Sequence, residues 1–153
     1  MKATFGAGCF WGVEEAFRKV KGVLKTEVGF MGGTLKNPSY KDVCYRKTGH
    51  AEVVQIEFDL KIVSYEKLLE IFWDIHNPTT KNRQGLNFGK QYRSVIFYHS
   101  LKQKDLAVKS KKELDKSGRY RRPIVTEIRK AGMFYKAEEY HQKYLMKRNL
   151  KTC

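Results

Sequence analysis

The chain has 153 residues, of which 41% are hydrophobic and 31% charged, and this composition excludes an intrinsically disordered protein. The length fits one domain spanning 1–153, and no apolar run is long enough to cross a bilayer. Lys and Arg exceed Asp and Glu by 31 to 16, giving a net charge of +15. Such an excess attracts anionic partners, but the favoured interpretation is that the basic residues solubilise the surface. The N-terminus lacks the apolar stretch of a secretory signal, so we expect a cytoplasmic protein.

The first third of the chain predicts two strands and a helix before a long loop. Residues 3–8 are small and interrupted by glycine, as in a strand that ends in a tight turn. Residues 10–20 have the apolar spacing of a helix, and 23–30 predict a second strand. Residues 33–50 predict a long polar loop. Loops of this length in compact domains are often functional.

The middle of the chain predicts a strand, a helix and another strand. Residues 51–58 alternate in polarity, as a strand does when its two faces meet different surroundings. Ser64 is a suitable cap for a helix that continues to about residue 76. A second long polar loop is predicted over 77–91, followed by a strand over 92–98.

The last third predicts a lysine-rich helix over 101–118, a short strand over 124–129 and a final helix over 137–147. The tail, 148–153, is polar and is expected to be mobile. The resulting order is β-α-β-β-α-β-α-β-α. This order predicts an α+β fold, a two-layer sandwich with a ferredoxin-like core in which helices pack on a mixed sheet.

Three cysteines, Cys9, Cys44 and Cys153, offer thiol chemistry. An odd count without a secretory signal argues against a structural disulfide framework, so reduced or redox-active thiols are expected. Cys9 lies where a strand ends and a helix begins. A helix N-terminus favours the thiolate, which is the nucleophilic form of cysteine. Phe10 and Trp11 follow directly and could form the wall of a small apolar pocket.

Residues 8–12, Gly-Cys-Phe-Trp-Gly, closely resemble the signature of the A-class peptide methionine sulfoxide reductases. The resemblance covers nearly the whole chain in the family's order, through 38–40, 49–54, 77–79, 83–85, 91–94, 134–135 and 137–145. It implies an enzyme of protein repair under oxidative stress that reduces methionine S-sulfoxide in proteins and as the free amino acid. The preference for the S epimer rests on the resemblance alone.

Reduction of a sulfoxide is easier when an acid protonates its oxygen, and Glu52 is the candidate. Its position in the predicted strand places it on the same side as Val54, Ile56 and Phe58, and the resemblance points to the same residue. An apolar environment can keep a carboxyl group protonated.

Three further positions are implied as site residues by the resemblance. Tyr40 and Tyr92 match the positions whose hydroxyls orient the sulfoxide oxygen. Asn87, a predicted substrate-binding residue, stands where the family commonly has aspartate. Asparagine can still form hydrogen bonds, but it removes a charge, so substrate preference or rate could differ.

The resemblance also implies how Cys9 is regenerated. Cys9 is expected to become a sulfenic acid, which condenses with Cys153, and thioredoxin is expected to reduce the resulting disulfide. Relatives often have tyrosine where Thr152 stands, and some carry a further cysteine in a longer tail. Cys44 is interpreted as a bystander. No metal or cofactor is expected, and a monomer is favoured.

Two other functions remain as alternatives. One is a Cys–His hydrolase, since the chain has four histidines: His50, His76, His99 and His141. The same histidines could bind a metal, but no paired metal-ligand spacing appears. The other alternative is a basic nucleic-acid-binding module, for which 119–122, Arg-Tyr-Arg-Arg, is the candidate segment.

Overall fold

The computed structural model describes residues 1–152, so the predicted resolving cysteine, Cys153, lies outside the described residues. The strands are β1 (Lys2–Ala7), β2 (Val23–Met31), β3 (Ala51–Phe58), β4 (Arg83–Gln84), β5 (Asn87–Phe88), β6 (Ser94–Tyr98), β7 (Glu127–Lys130) and β8 (Tyr135–Lys136). The α-helices are α1 (Phe10–Arg18), α2 (Tyr40–Tyr45), α3 (Tyr65–Asp74), α4 (Leu101–Lys116) and α5 (Tyr144–Lys147). Two 3-10 helices span Lys90–Tyr92 and Glu139–His141. No helix within residues 1–152 has the length and apolar character needed to span a membrane.

Six strands form one mixed sheet in the order β7-β6-β1-β3-β2-β8. All neighbours are antiparallel except β6 and β7, which are parallel. The four inner strands, β6-β1-β3-β2, are connected through α1 and α3 in the β-α-β-β-α-β order of a ferredoxin-like fold. The structure therefore confirms the predicted α+β sandwich with a mixed sheet. Strands β4 and β5 form a separate hairpin.

Aromatic side chains fill the core between the sheet and the helices. Phe5 of β1 stacks on Phe17 of α1, with ring centroids 5.3 Å apart, and lies 5.2 Å from the ring of Phe72 of α3. All three are completely buried. Burial of a phenylalanine stabilises the folded state by roughly 1.5–3 kcal/mol, so these contacts hold α1 and its N-terminus firmly on the sheet.

Both predicted long loops contain short elements. Helix α2 lies within 33–50, where the Ser39 hydroxyl accepts the amide N–H of Asp42 and the Asp42 carboxylate accepts that of Ser39. This reciprocal capping box stabilises a helix of only 6 residues. The β4–β5 hairpin lies within 77–91. In the same region, Tyr92 belongs to a 3-10 helix, and the strand that follows begins at Ser94.

The predicted helix over 137–147 is wrong. This segment holds a 3-10 helix and the 4-residue α5, because Lys143 between them has a left-handed backbone with φ of 51°. The Gln142 side chain accepts the Val28 amide and donates to the Val28 carbonyl, which attaches the segment to β2. Glu14 of α1 accepts the Lys143 amide at 2.6 Å. Tertiary hydrogen bonds therefore replace the helical ones. The predicted strand over 124–129 begins later, at Glu127.

His76, whose ring is neutral, links the end of α3 to the sheet. Its Nδ1 lies 2.6 Å from the carbonyl of Phe72, and its Nε2 lies 2.7 Å from the hydroxyl of Ser94. Burial lowers the pKa of His76 from 6.5 to about 4, although the bond to the Phe72 carbonyl opposes this shift. In the unfolded chain the same ring takes up a proton at the ordinary pKa.

We expect His76 to make folding sensitive to acid. Between about pH 4 and pH 6.5 the unfolded chain binds the proton more strongly, so stability falls as the pH is lowered through this window. The loss is at most about 3 kcal/mol. Urea unfolding at several pH values measures it, and His76→Gln should lower stability at neutral pH but flatten the pH dependence. An equally steep dependence in this variant would contradict the prediction.

Candidate active site

Cys9 occupies the N-cap position of α1, directly after a tight turn at the end of β1. The turn needs glycine at position 8, where φ is +98° and a Cβ would come within 3.0 Å of the Gln84 side chain. Cys9 is partly exposed. Its position at the positive end of the helix dipole favours a thiolate. The structure thus places Cys9 where the sequence predicted it.

The carboxyl group of Glu52 lies next to the Cys9 turn. Its Oε1 accepts the amide N–H of Phe10 at 3.2 Å, and Phe10 immediately follows Cys9. Glu52 is only 1% exposed and lies on β3 opposite Phe30 of β2. The predicted strand parity is confirmed, because Val54, Ile56 and Phe58 belong to one core cluster and Val53, on the other face, belongs to a second. A carboxyl group in these surroundings is suited to proton transfer at the nucleophile.

Tyr40 and Tyr92 converge on Glu52 from the two regions predicted as long loops. Burial raises the pKa of Tyr40 well above its ordinary value, and the charge of Glu52 raises it further. Burial raises the pKa of Tyr92 to about 12, with smaller contributions from Glu52, Cys44 and Cys9. Both hydroxyls therefore keep their protons at neutral pH and can donate hydrogen bonds.

Cys44 also lies in this cluster, and its interpretation as a bystander to the chemistry stays a prediction. It lies four residues after Tyr40 on α2, so both side chains share one helix face. Burial raises the pKa of the Cys44 thiol, while a hydrogen bond with Tyr40 lowers it and the charges of Glu52 and Glu138 raise it. The i, i+4 spacing was the sequence signal that could have placed Cys44 here.

Phe10 and Trp11 form an aromatic wall beside Cys9. Phe10 is completely buried, and its ring lies 6.1 Å from that of Tyr40. Trp11 is partly exposed and stacks on Tyr144, with ring centroids 3.7 Å apart and an angle of 5° between the planes. Arg148 covers the Tyr144 ring at 3.8 Å. These stacking contacts hold the Trp11 ring in place.

His141 fixes the orientation of Trp11, and sequence reasoning did not single it out for this role. The indole Nε1–H of Trp11 donates to Nδ1 of His141 at 2.9 Å. The His141 ring also lies 4.3 Å from that of Tyr40 and 5.3 Å from that of Phe10. Burial lowers the pKa of His141, against the raising effect of Glu138, so its Nδ1 can accept at neutral pH.

We expect His141→Phe to weaken substrate binding more than catalysis. The substitution keeps an aromatic ring but removes the acceptor of the Trp11 indole, at a cost of about 1 kcal/mol or roughly fivefold in affinity. Peptide kinetics should show a raised KM with a smaller change in kcat, and the fluorescence of Trp11 should shift. His141→Gln, which keeps an acceptor, should recover part of the loss. A fall in kcat with an unchanged KM would contradict this role.

Asn87 lies in β5, exposed, and pairs with Gln84 of β4. The Gln84 side chain lies against Gly8, so the hairpin borders the Cys9 turn. The substrate-binding role of Asn87 stays a prediction. Within residues 1–152, no cluster of three or more His, Cys, Asp or Glu side chains could hold a metal ion.

The candidate segment for nucleic-acid binding, 119–122, makes internal contacts at its start. Arg119 pairs with Asp74 of α3 at 2.8 Å and lies 5.3 Å from the ring of Tyr120. These contacts account for Arg119 and Tyr120, whereas Arg121 and Arg122 are exposed.

A partly exposed helix-terminal thiol, a buried carboxyl group and two protonated tyrosines define a thiol enzyme that has proton donors at its nucleophile. Comparisons with known proteins identify the class of thiol enzyme. The family model described as peptide methionine sulfoxide reductase matches residues 1–153. The chain belongs to the peptide methionine sulfoxide reductase family, which confirms the resemblance and the predicted enzyme class.

Individual relatives agree over nearly the whole chain. Peptide methionine sulfoxide reductase MsrA of Methanothermobacter thermautotrophicus is 62% identical over 152 residues, which cover 99% of this chain and 90% of that protein. Reduced Mxr1 from Saccharomyces cerevisiae has a TM-score of 0.90 and 38% identity, covering 97% of this chain and 86% of Mxr1. Methionine sulfoxide reductase A of Corynebacterium diphtheriae has a TM-score of 0.85 and 34% identity, covering 99% and 76%.

Proposed function

We propose that this chain reduces methionine S-sulfoxide, in oxidised proteins and as the free amino acid, and that Cys9 is its nucleophile. The family assignment supports the reductase over a Cys–His hydrolase or a nucleic-acid-binding module. The main support for the residue roles is the hydrogen bond from the amide of Phe10 to Glu52, because it holds a carboxyl group against the residue next to Cys9.

In the first step the aromatic wall of Phe10 and Trp11 holds the methyl group of the substrate. The Cys9 thiolate attacks the sulfoxide sulfur while Glu52 donates a proton to the oxygen, which Tyr40 and Tyr92 orient by hydrogen bonds. The oxygen then passes to Cys9. The sulfoxide sulfur gains two electrons and leaves as methionine, and Cys9 loses two electrons and becomes a sulfenic acid.

In the second step the Cys153 thiol gives up its proton and attacks the sulfur of Cys9, and the sulfenic oxygen takes up that proton and leaves as water, giving a Cys9–Cys153 disulfide. Thioredoxin then reduces this disulfide by thiol exchange. Mxr1 of Saccharomyces cerevisiae has been solved in complex with Trx2, and that structure has 28% identity and a TM-score of 0.65 to this chain, covering 94% of it and 84% of Mxr1. This supports thioredoxin as the reductant.

The proposal also covers the cofactor, the location and the oligomeric state of the protein. The chemistry uses only the chain's own residues, so no cofactor takes part. A cytoplasmic location supplies reduced thioredoxin. The net charge of +15 opposes self-association and supports a monomer.

Replacing Cys153 tests the second step. Cys153→Ser should reduce one equivalent of methionine sulfoxide peptide and then stop, because thioredoxin has no disulfide to reduce. Cys44→Ser is the matched control and should turn over with thioredoxin as the natural chain does. Multiple turnovers by Cys153→Ser, or their loss in Cys44→Ser, would show that Cys153 is not the resolving thiol.

A further inference from the structure

A cavity of about 580 Å³ lies between α2 and the 3-10 helix Lys90–Tyr92. Its size lies within the roughly 300–1,000 Å³ range of ligand pockets. Three of its lining residues, Arg46, Lys47 and Lys90, are cationic, and no carboxylate lines it. All three side chains belong to exposed residues. The cavity therefore presents three positive charges beside its other lining groups.

The three cations are little neutralised by the protein itself. Arg46 has one ion pair, with Asp42 at 3.5 Å, and its side chain is still 67% exposed. Neither Lys47 nor Lys90 forms an ion pair with another residue in the part of the chain from 1 to 152. Cations grouped on the walls of a cleft reinforce one another and attract anionic groups.

The cavity is lined by the same two segments, α2 and the 3-10 helix Lys90–Tyr92, that carry Tyr40, Cys44 and Tyr92 of the site. Val43 and Gln91 line it, and the next residues along the chain are Cys44 and Tyr92 of the site. Consecutive Cα atoms are about 3.8 Å apart, and an extended peptide advances at most about 3.6 Å per residue. A substrate peptide bound at Cys9 can therefore extend toward the cavity through the residues that flank the sulfoxide.

The floor of the cavity is held by hydrogen bonds, so the cations project from a fixed frame. His50 accepts the amide of Gly33 through Nδ1 at 3.0 Å and lies 2.7 Å from the carbonyl of Leu35 through Nε2. The amide of Thr34 donates to the carbonyl of Thr48 at 2.9 Å. A preformed frame reduces the ordering cost of binding.

We propose that this cavity binds aspartate and glutamate side chains that flank the oxidised methionine of a substrate protein. The inference rests on the proposed reductase function and deepens it by naming the preferred substrate class, methionine sulfoxide in acidic segments. Arg46, Lys47 and Lys90 supply the charge complementarity. The binding is electrostatic, so it weakens with rising salt.

Single-turnover kinetics test this proposal without thioredoxin. The pre-reduced chain is mixed with three methionine sulfoxide peptides of equal length, flanked by aspartate, serine or lysine. The double variant Lys47→Glu with Lys90→Glu is compared with the natural chain. The control, Lys112→Glu with Lys116→Glu, makes the same charge change at exposed lysines of α4.

The natural chain and the α4 control should prefer the aspartate peptide over the serine peptide by about three- to tenfold in second-order rate at low salt. The Lys47/Lys90 variant should lose or reverse this preference and reduce the serine peptide at the natural rate. An equal rate with all peptides, or a preference that persists in the Lys47/Lys90 variant, would overturn the proposal. If no peptide is reduced at all, the proposed function itself has failed.

Discussion

Replacement of Cys9 by serine is expected to abolish methionine sulfoxide reduction, lowering the single-turnover rate by more than about 1,000-fold. A serine hydroxyl is not ionised at neutral pH. It also cannot accept the sulfoxide oxygen, whereas cysteine accepts it and becomes a sulfenic acid. The fold should persist, because serine is close to cysteine in size and can cap α1. The measurement is loss of oxygen from a methionine sulfoxide peptide, followed by chromatography.

Two controls make this result interpretable. Cys44→Ser removes the neighbouring thiol that contacts Tyr40 and should leave the first step close to its natural rate. Circular dichroism and the fluorescence of Trp11 should be unchanged in Cys9→Ser, which shows that the site is still assembled. If Cys9→Ser still reduced the peptide, or if only Cys44→Ser lost this activity, the nucleophile would be Cys44 of α2 rather than Cys9. The proposed mechanism would then be wrong.

Replacement of Glu52 by glutamine is expected to slow the first chemical step by about 100- to 10,000-fold. Glutamine keeps an oxygen that can accept the amide of Phe10, so the Cys9 turn should hold its shape. It cannot donate a carboxylic proton to the sulfoxide oxygen. The rate constant at saturating peptide should fall, while peptide affinity changes little, because the aromatic wall of Phe10 and Trp11 is untouched.

Glu57→Gln is the matched control for this prediction. Glu57 lies on the same strand as Glu52, but it is exposed, so its replacement should leave the rate unchanged. If Glu52→Gln kept the natural rate of oxygen loss and altered only the reaction with thioredoxin, Glu52 would act in regeneration rather than as the acid.

The main features of the site could be predicted from the sequence because they depend on local patterns of residues. The glycine before Cys9 and the apolar periodicity after it predicted a strand–turn–helix junction, and the structure has one. The alternation over 51–58 predicted which face of β3 carries Glu52, since side-chain direction in a strand has a period of two. These rules also predicted the β-α-β-β-α-β succession of the core elements along the chain.

Long-range contacts account for what the sequence did not reveal. The helical pattern over 137–147 was outweighed by tertiary hydrogen bonds from Gln142 and Glu14, and no local rule contains those partners. The position of His141 against Trp11 joins residues 130 apart in sequence. Helix α2, which carries Cys44, was not predicted for a different reason, since it is short and depends on a capping box within a polar loop.

The most direct test is mass spectrometry of a methionine sulfoxide peptide incubated with the fully reduced chain and no other reductant. The account predicts that the peptide loses one oxygen while the protein loses two hydrogens and gains a disulfide between Cys9 and Cys153. A peptide and a protein that both remain unchanged, with a folded chain and both sulfoxide epimers supplied, would contradict it.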